Sequence, residues 1–518
     1  MRYGLIAVAA IAAILLALLQ LEAGRSGLAQ SEIRIGETPA SVVHRADLDK
    51  PAPVVVIAHG FAGSRQLMEP FAFTLARAGY LTVSFDFVGH GAHPAAMPTR
   101  IEGAGGAAER LLDQLDAVIA GALAHPLADG RHALLGHSMA TDLLAKHAAQ
   151  GSSRAAATIA VSLLSRDVTA TSPRNMLVIV GGYESGLTDE ALRVTGLVAG
   201  AAAEEGRTYG SFAEGTARRA VFADGVEHIG VLYDPESLAA AAAWLDEAFG
   251  RSPVAEAALD RRGPWLGLLF AGLLALALPL SRLLPAIGTE ATAGAALPRP
   301  TLLALIAGPA LLTPLLAVLL PTGLLPIILG DYLAAHFFLY GAVGFAGLWI
   351  AARFGPARLP GRGAFSPGLL LGGLAVGAFT ILAFGFALER YAFGYWPTAG
   401  RAALIPAMLA GVLPWFLADE WITRGRPGAA APPVAPRLWA YALSKLAFVL
   451  SLGVAVALDL ERLFFLLIVA PVILVFFAIY GLLSHWALRR SGHPWAAAIG
   501  LALALAWSIS VSFPLVAG

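Results

Sequence analysis

The pentapeptide Gly136-His137-Ser138-Met139-Ala140 has the features that acyl-transfer chemistry asks of a serine. It follows an apolar, strand-like run, Ala133-Leu134-Leu135, and opens a stretch of helical composition. A strand-to-helix turn of this kind strains the backbone and projects the serine oxygen above the sheet edge, with small flanking residues because neighbouring backbone passes close by. The last small residue here is Ala140 rather than glycine. Alone, the pattern reads more readily as a helix N-cap; the preceding strand turns the reading toward a nucleophile. A second signal lies upstream, where the apolar strand Val54–Ala58 runs into His59-Gly60-Phe61-Ala62-Gly63-Ser64. Acyl transfer needs two backbone N–H groups aimed at the developing oxyanion. One is expected from Met139, directly after the nucleophile, and the other from Phe61. Gly60 and Gly63 let the loop bend and approach a substrate. By itself this loop is simply a glycine-rich turn.

Four segments then occur in order: His59-Gly-Phe-Ala-Gly-Ser64, Leu75-Ala-Arg-Ala-Gly-Tyr80, Phe85-Asp-Phe-Val-Gly-His-Gly91 and Gly136-His-Ser138. In order and spacing they resemble the α/β-hydrolase family over roughly residues 50–250. The resemblance implies that Asp86 and His90 belong to a structural turn. It also implies a chain order of serine, then acid, then histidine. The acid is expected after a late strand, and Met176-Leu-Val-Ile-Val-Gly-Gly-Tyr-Glu184 fits. Glu184 departs from the family's more common aspartate. Asp189 is the alternative, although at Thr188-Asp189-Glu190 a helix N-terminal role is the plainer reading. The histidine is expected before the last helix, and His228, the only histidine between His147 and His336, stands there. The implied activity is that of a serine hydrolase with Ser138, Glu184 and His228 as triad and the Phe61 and Met139 amides as oxyanion hole. Only about a dozen residues separate Leu164 from Met176. That leaves no room for a large cap there and suits exposed or bulky esters, including lipid-like ones.

The elements that must position these residues alternate between short β-branched runs and helical stretches, the pattern of a mostly parallel sheet. Strands are expected at Val54–Ala58, Leu81–Phe85, His132–Leu135, Thr158–Leu163, Met176–Val180 and Arg219–Phe222. Helices are expected at Gln66–Ala78, Ala107–Leu123, Met139–Ala149, Asp189–Ala203 and Pro235–Phe249. The expected organisation is a signal anchor or signal peptide over 1–30, an α/β-hydrolase domain with flanking helices over 31–250, a linker over 251–263, and an all-α transmembrane domain of about eight helices over 264–518. A cut after Ala29 is conceivable, but the apolar run Gly4–Leu19 favours an uncleaved anchor.

The chain is 58% hydrophobic and 14% charged, too apolar for an ordinary soluble enzyme. Zero formal net charge without a basic run gives no case for nucleic acid. The absence of cysteine excludes disulfides and thiolate chemistry. No metal-ligand cluster or nucleotide loop appears, so no metal or cofactor is expected; the expected partners are an acyl or lipid-like substrate and membrane lipids. The scarcity of lysine beside abundant arginine, alanine and glycine suggests a bacterial source. Spans are expected near 264–284, 301–320, 327–350, 367–387, 402–418, 438–458, 463–484 and 495–515. With the hydrolase domain on the outer side of a cytoplasmic membrane, eleven arginines fall inside, among them Arg2, Arg282, Arg362, Arg426, Arg437, Arg489 and Arg490. Five fall in short outer segments: Arg261, Arg262, Arg390, Arg401 and Arg462. That bias follows the positive-inside rule. Asp331, His336, Glu389, Arg390, Asp419, Glu420 and Lys445 sit at or inside span ends; the first four fall on the hydrolase side, where they could line a lipid or acyl-donor path, but the favoured reading is interfacial flanking charge. Two other functions use the same residues differently: an acyltransferase with the same triad, and a transporter or assembly protein whose hydrolase-like domain only binds.

Overall fold

A computed structural model describes residues 1–100, 105–151, 153–200, 203–254, 258–288, 294–321, 323–355, 357–361, 364–424 and 438–517. Arg362, Arg426 and Arg437, used in the orientation argument, and part of the 251–263 linker lie outside the described residues. The chain forms two compact units.

The first unit comprises Leu15–Leu269, Ala387–Thr398 and Pro514–Gly518. Its centre is an eight-stranded sheet of order β1-β2-β4-β3-β5-β6-β7-β8. The strands are β1 (Leu28–Ile35), β2 (Thr38–Arg45), β3 (Ala52–Ala58), β4 (Leu81–Phe85), β5 (Ala128–His137), β6 (Thr158–Val161), β7 (Met176–Gly181) and β8 (Arg218–Ala223). From β4 to β8 every pairing is parallel, whereas β1 and β2 form an antiparallel hairpin that joins the sheet through β2 and β4. Every residue of β3 is buried, as expected for a parallel strand covered on both faces. The cover comes from α2 (Glu69–Arg77), α3 (Ala107–Leu123), α4 (Met139–Ala149), α5 (Ser185–Ala199) and α6 (Pro235–Phe249). The core on one face is built around Phe71, Phe73, Tyr80 and Trp244. The hairpin was not anticipated: β1 is a mostly exposed strand rich in polar residues, and its pattern carries little hydrophobic signal. Ala29, the conceivable cleavage point, pairs with His44 inside it. The helix expected from Asp189 begins earlier, at Ser185, because the Glu184 carbonyl accepts from the Leu187 and Thr188 amides and starts the turn there.

The second unit comprises Met1–Ile14, Phe270–Phe386 and Ala399–Phe513. Counted over the described residues of both units, nine helices are long and apolar enough to cross a membrane. They are α1 (Arg2–Ala23), the segment Arg262–Leu283 that begins with α7 (Arg262–Leu280), α8 (Arg299–Ala317), α9 (Gly330–Phe354), the segment Pro367–Tyr391, α12 (Ala399–Arg424), α13 (Leu438–Leu458), α15 (Leu466–Ser491) and α16 (Trp495–Ser512). Pro367–Tyr391 is built from α10 (Pro367–Phe379), a π-helical turn at Thr380–Phe384, and α11 (Gly385–Tyr391); a one-turn α14 (Leu460–Leu463) precedes α15.

The span expected at 402–418 is longer than its apolar run, because Asp419, Glu420 and Arg424 continue the helix with their charges partnered. Asp419 pairs with Lys445 and accepts from Ser444 Oγ at 2.5 Å. Glu420 accepts from Ser484 Oγ at 2.6 Å and from Arg424 Nε at 3.2 Å. His336 reaches Ser451 Oγ at 3.1 Å and the Tyr332 hydroxyl at 3.3 Å. Asp331, His336, Asp419, Glu420 and Lys445 are therefore buried inside this unit, not flanking charges at an interface. Burial without partners would be costly in this apolar setting, and each has found one or more.

Candidate active site

Ser138 stands between the end of β5 and the first residue of α4, with φ 53° and ψ −119°, a backbone conformation that side chains rarely adopt. The surroundings hold it there. Its amide donates to Val161 O at 2.9 Å, and its carbonyl accepts from the Thr141 amide at 2.8 Å and the Thr141 hydroxyl at 2.7 Å. The side chain therefore points out of the turn toward the ends of β7 and β8.

Two loops meet it there. His228, in the loop between β8 and α6, places Nε2 2.9 Å from Ser138 Oγ. Its Nδ1 lies 2.5 Å from Glu184 Oε1. Nδ1–H donates to the carboxylate, so Nε2 is left to accept the serine proton. Glu184 is fixed by its other oxygen: Oε2 accepts from Ser162 Oγ at 2.7 Å and from the Gly181 amide at 2.9 Å. Burial pushes the Glu184 carboxyl up, but the hydrogen bond and charge of His228, with the Ser162 and Gly181 bonds, hold it below the ordinary carboxylate range. Its place at the N-terminal end of α5 also favours the charged form. Gly181 has to be glycine, since a Cβ there would meet Val226 O at 2.8 Å and Glu184 Oε2 at 3.1 Å.

Ser162 is a partner the sequence reading missed. It has φ 56° just beyond β6, which turns its hydroxyl toward Glu184. The only available signal was its position directly after a buried strand adjacent to the nucleophile strand. His137 was likewise unassigned. Its Nε2 lies 3.0 Å from the His228 carbonyl, and the two rings are 4.8 Å apart. Burial, and then the neighbouring His228, hold His137 well below the usual histidine range, so it braces the His228 backbone as a neutral ring. Asp189 is on the exposed face of α5 and is not brought to His228.

The loop after β3 runs alongside the nucleophile. A Cβ on Gly60 would lie 3.0 Å from both Ser138 Cβ and His137 Nδ1, so only glycine lets the loop come this close. His59, fully buried, holds its shape: Nδ1 is 2.7 Å from Gly60 O, and Nε2 accepts from the Phe87 amide at 3.1 Å. Burial lowers the His59 pKa, although Asp86 opposes the shift. Met139 opens α4, so its amide is one of the helix-end N–H groups without an intrahelical carbonyl. The Phe61 side chain packs edge-on against His90 at 6.2 Å. Asp86 is fully buried, pairs with Arg65, and accepts from the Arg65 and Ala92 amides at 2.8 and 2.9 Å. That is the work of a turn support. Among the described residues, no group of three or more His, Asp or Glu side chains could hold a metal ion.

Residues 49–177 match the family described as serine aminopeptidase, S33. The region from about residue 50 to 250 has the α/β-hydrolase fold, a mostly parallel sheet with flanking helices, and a helical region with several long apolar helices follows it. Similar solved structures include a lipase in its open form, at 13% identity and TM-score 0.31, covering 43% of this chain and 100% of that one. An esterase from the bacterial hormone-sensitive lipase family gives 16% identity and TM-score 0.32, covering 44% and 85%. A soluble variant of monoglyceride lipase from Saccharomyces cerevisiae, in complex with a substrate analogue, gives 12% and 0.30, covering 42% and 94%. No curated protein matches the chain.

Proposed function

We propose that the chain is a membrane-tethered serine hydrolase that cleaves an ester or related acyl bond. The observation that carries this reading is the continuous line of hydrogen bonds from Ser138 Oγ through His228 to Glu184. In the proposed mechanism His228 takes the Ser138 proton as the oxygen attacks an acyl carbon. Glu184 holds the imidazole tautomer and stabilises the imidazolium. The Phe61 and Met139 amides stabilise the oxyanion. His228 then protonates the leaving group, and water releases the acyl chain by the reverse sequence. Leu164, two residues beyond Ser162, and Tyr183, beside Glu184, expose large apolar side chains, which suits a lipid-like acyl substrate. The nine apolar helices support tethering to a membrane. The arginine distribution supports a hydrolase domain on the outer side of a bacterial cytoplasmic membrane.

Labelling of the full-length protein by a fluorophosphonate probe tests the chemistry. Wild type should react stoichiometrically and Ser138→Ala should not; a folded wild type that resists the probe would overturn the proposal. Because the chain has no cysteine, single cysteines placed in the hydrolase domain and probed in intact cells with an impermeant maleimide test the orientation.

A further inference from the structure

Residues 387–398 comprise the end of the long apolar segment Pro367–Tyr391 and the turn before α12, yet they belong to the hydrolase unit. They are fastened at several points. Glu389 Oε1 accepts from Gln66 Nε2 at 3.3 Å, while Oε2 accepts from the amides of Tyr395 and Trp396, the latter at 3.0 Å. One carboxylate thus folds the loop back on itself and ties it to Gln66. The Gly394 amide donates to Ser64 Oγ at 2.9 Å. A Cβ on Gly394 would be 3.3 Å from Gln66 Oε1 and 3.4 Å from Ser64 Cβ, so Gly394 packs directly against these two side chains. Behind this contact, Arg262 donates to the Tyr391 carbonyl at 3.0 Å and Arg25 to the Arg390 carbonyl at 2.9 Å. Both arginines also pair with Glu69, the first residue of α2, at 2.5 and 2.9 Å.

Ser64 and Gln66 directly follow His59-Gly60-Phe61-Ala62-Gly63, the loop that runs against Ser138. Ser64 is fully buried and Gln66 nearly so. His59 pins the start of that loop. At its far end, Gly394 and Glu389 hold Ser64 and Gln66. We infer that residues 389–396 fix the conformation of the loop that supplies the Phe61 amide, with Glu389 and Gly394 as positioning residues acting through Gln66 and Ser64. This rests on the proposed role of that amide in stabilising an oxyanion. An oxyanion donor works only when it is held in place before charge develops. A segment more than 300 residues away in sequence therefore belongs to the machinery that makes Ser138 effective.

The test uses the full chain in detergent or nanodiscs, with fluorophosphonate titration to count competent sites, p-nitrophenyl esters for kcat and KM, and an alkyl boronic acid as a tetrahedral mimic. Glu389→Ala and, as a milder second variant, Ser64→Ala should each lower kcat per titrated site about tenfold, a fraction of the 10²–10³ that follows loss of an oxyanion donor. KM should change less than about twofold, and boronate affinity should fall in parallel with kcat. Glu389→Gln should restore most of the rate, because its amide oxygen still accepts from the Tyr395 and Trp396 amides and the Gln66 amide can turn to meet its new donor. Wild-type kcat per titrated site in both Glu389→Ala and Ser64→Ala would overturn the inference. So would a lowered melting temperature with unchanged kcat and boronate affinity, the mark of a merely structural contact. A wild type that the probe does not label would instead refute the proposed function, so the two failures are distinguishable.

Discussion

Replacing Glu184 by glutamine should disable Ser138 without removing a single contact atom, and the hydrogen bonds explain how. Two donors converge on Oε2, the Ser162 hydroxyl and the Gly181 amide. The hydroxyl can rotate, but the backbone N–H cannot. In Glu184→Gln the carbonyl oxygen of the new amide must take the Oε2 position, so its NH2 group faces His228 Nδ1. That group donates, Nδ1 becomes an acceptor, and the imidazole proton moves to Nε2, facing Ser138 Oγ. The histidine then cannot take the serine proton. A wrong tautomer of this kind in a serine–histidine–acid triad lowers kcat by about 10⁴-fold. We expect a loss of about 10³–10⁴, or about 4–5.5 kcal/mol of transition-state stabilisation, with little change in KM. Steady-state ester hydrolysis normalised to folded protein measures it. Adding Ser162→Ala should not restore activity, because the Gly181 amide still orients the side chain, and Asp189→Ala should cost less than about twofold. Activity of Glu184→Gln within tenfold of wild type, or a larger loss in Asp189→Ala, would refute the reasoning.

Two further outcomes follow from buried charge. His59 and His137 titrate below 6.5 in the folded protein, so the unfolded chain binds more protons as the pH falls below that value. Their contribution to stability is full above the unfolded histidine range and is lost progressively as the pH falls below it, at up to about 1.4 kcal/mol per pH unit for each. The melting temperature should fall over that window, with a shallower slope in His137→Gln; equal slopes would contradict this. Lys445→Met should destabilise by about 3–5 kcal/mol, because it strands Asp419 as an unpaired buried carboxylate. The double variant with Asp419→Asn should recover most of the loss in detergent-unfolding measurements, and a single variant as stable as wild type would count against the pairing.

Local patterns carried much of this architecture. Helices Ala107–Leu123, Met139–Ala149 and Pro235–Phe249 have the ends their sequences suggest, because their apolar periodicity and flanking turn residues agree. Ser138, Glu184 and His228 are candidates because the first two follow apolar strands, their order matches that of a serine–acid–histidine set, and His228 is the only histidine between His147 and His336. What stayed hidden depends on packing between distant segments. Ser162 is an ordinary serine until β6 is laid beside β7. Asp419 and Lys445 are 26 residues apart, and a charge near the end of an apolar run looks the same whether it faces water or a buried partner. Glu389 and Gly394 resemble any interhelical turn until Ser64 and Gln66 are placed against them.

The third piece of the hydrolase unit, Pro514–Gly518, has a consequence for biosynthesis. The Met97 amide donates to Leu515 O at 2.8 Å, the Leu515 amide to Gly89 O at 2.8 Å and the Ala517 amide to Met97 O at 2.7 Å, so residues 515–517 make a parallel bridge to the turn that follows β4. A ribosome that has finished Leu269 must still make about 120 residues before Ala387 emerges and about 245 before Pro514. At about 5–20 residues per second, the last interval is roughly 12–50 s. For about the first half of that time the sheet and its serine lack both supports, and for the rest they lack one. The unit is therefore finished only after the intervening helices have been translated, which ties the appearance of an ordered site to the synthesis of the helices between its parts.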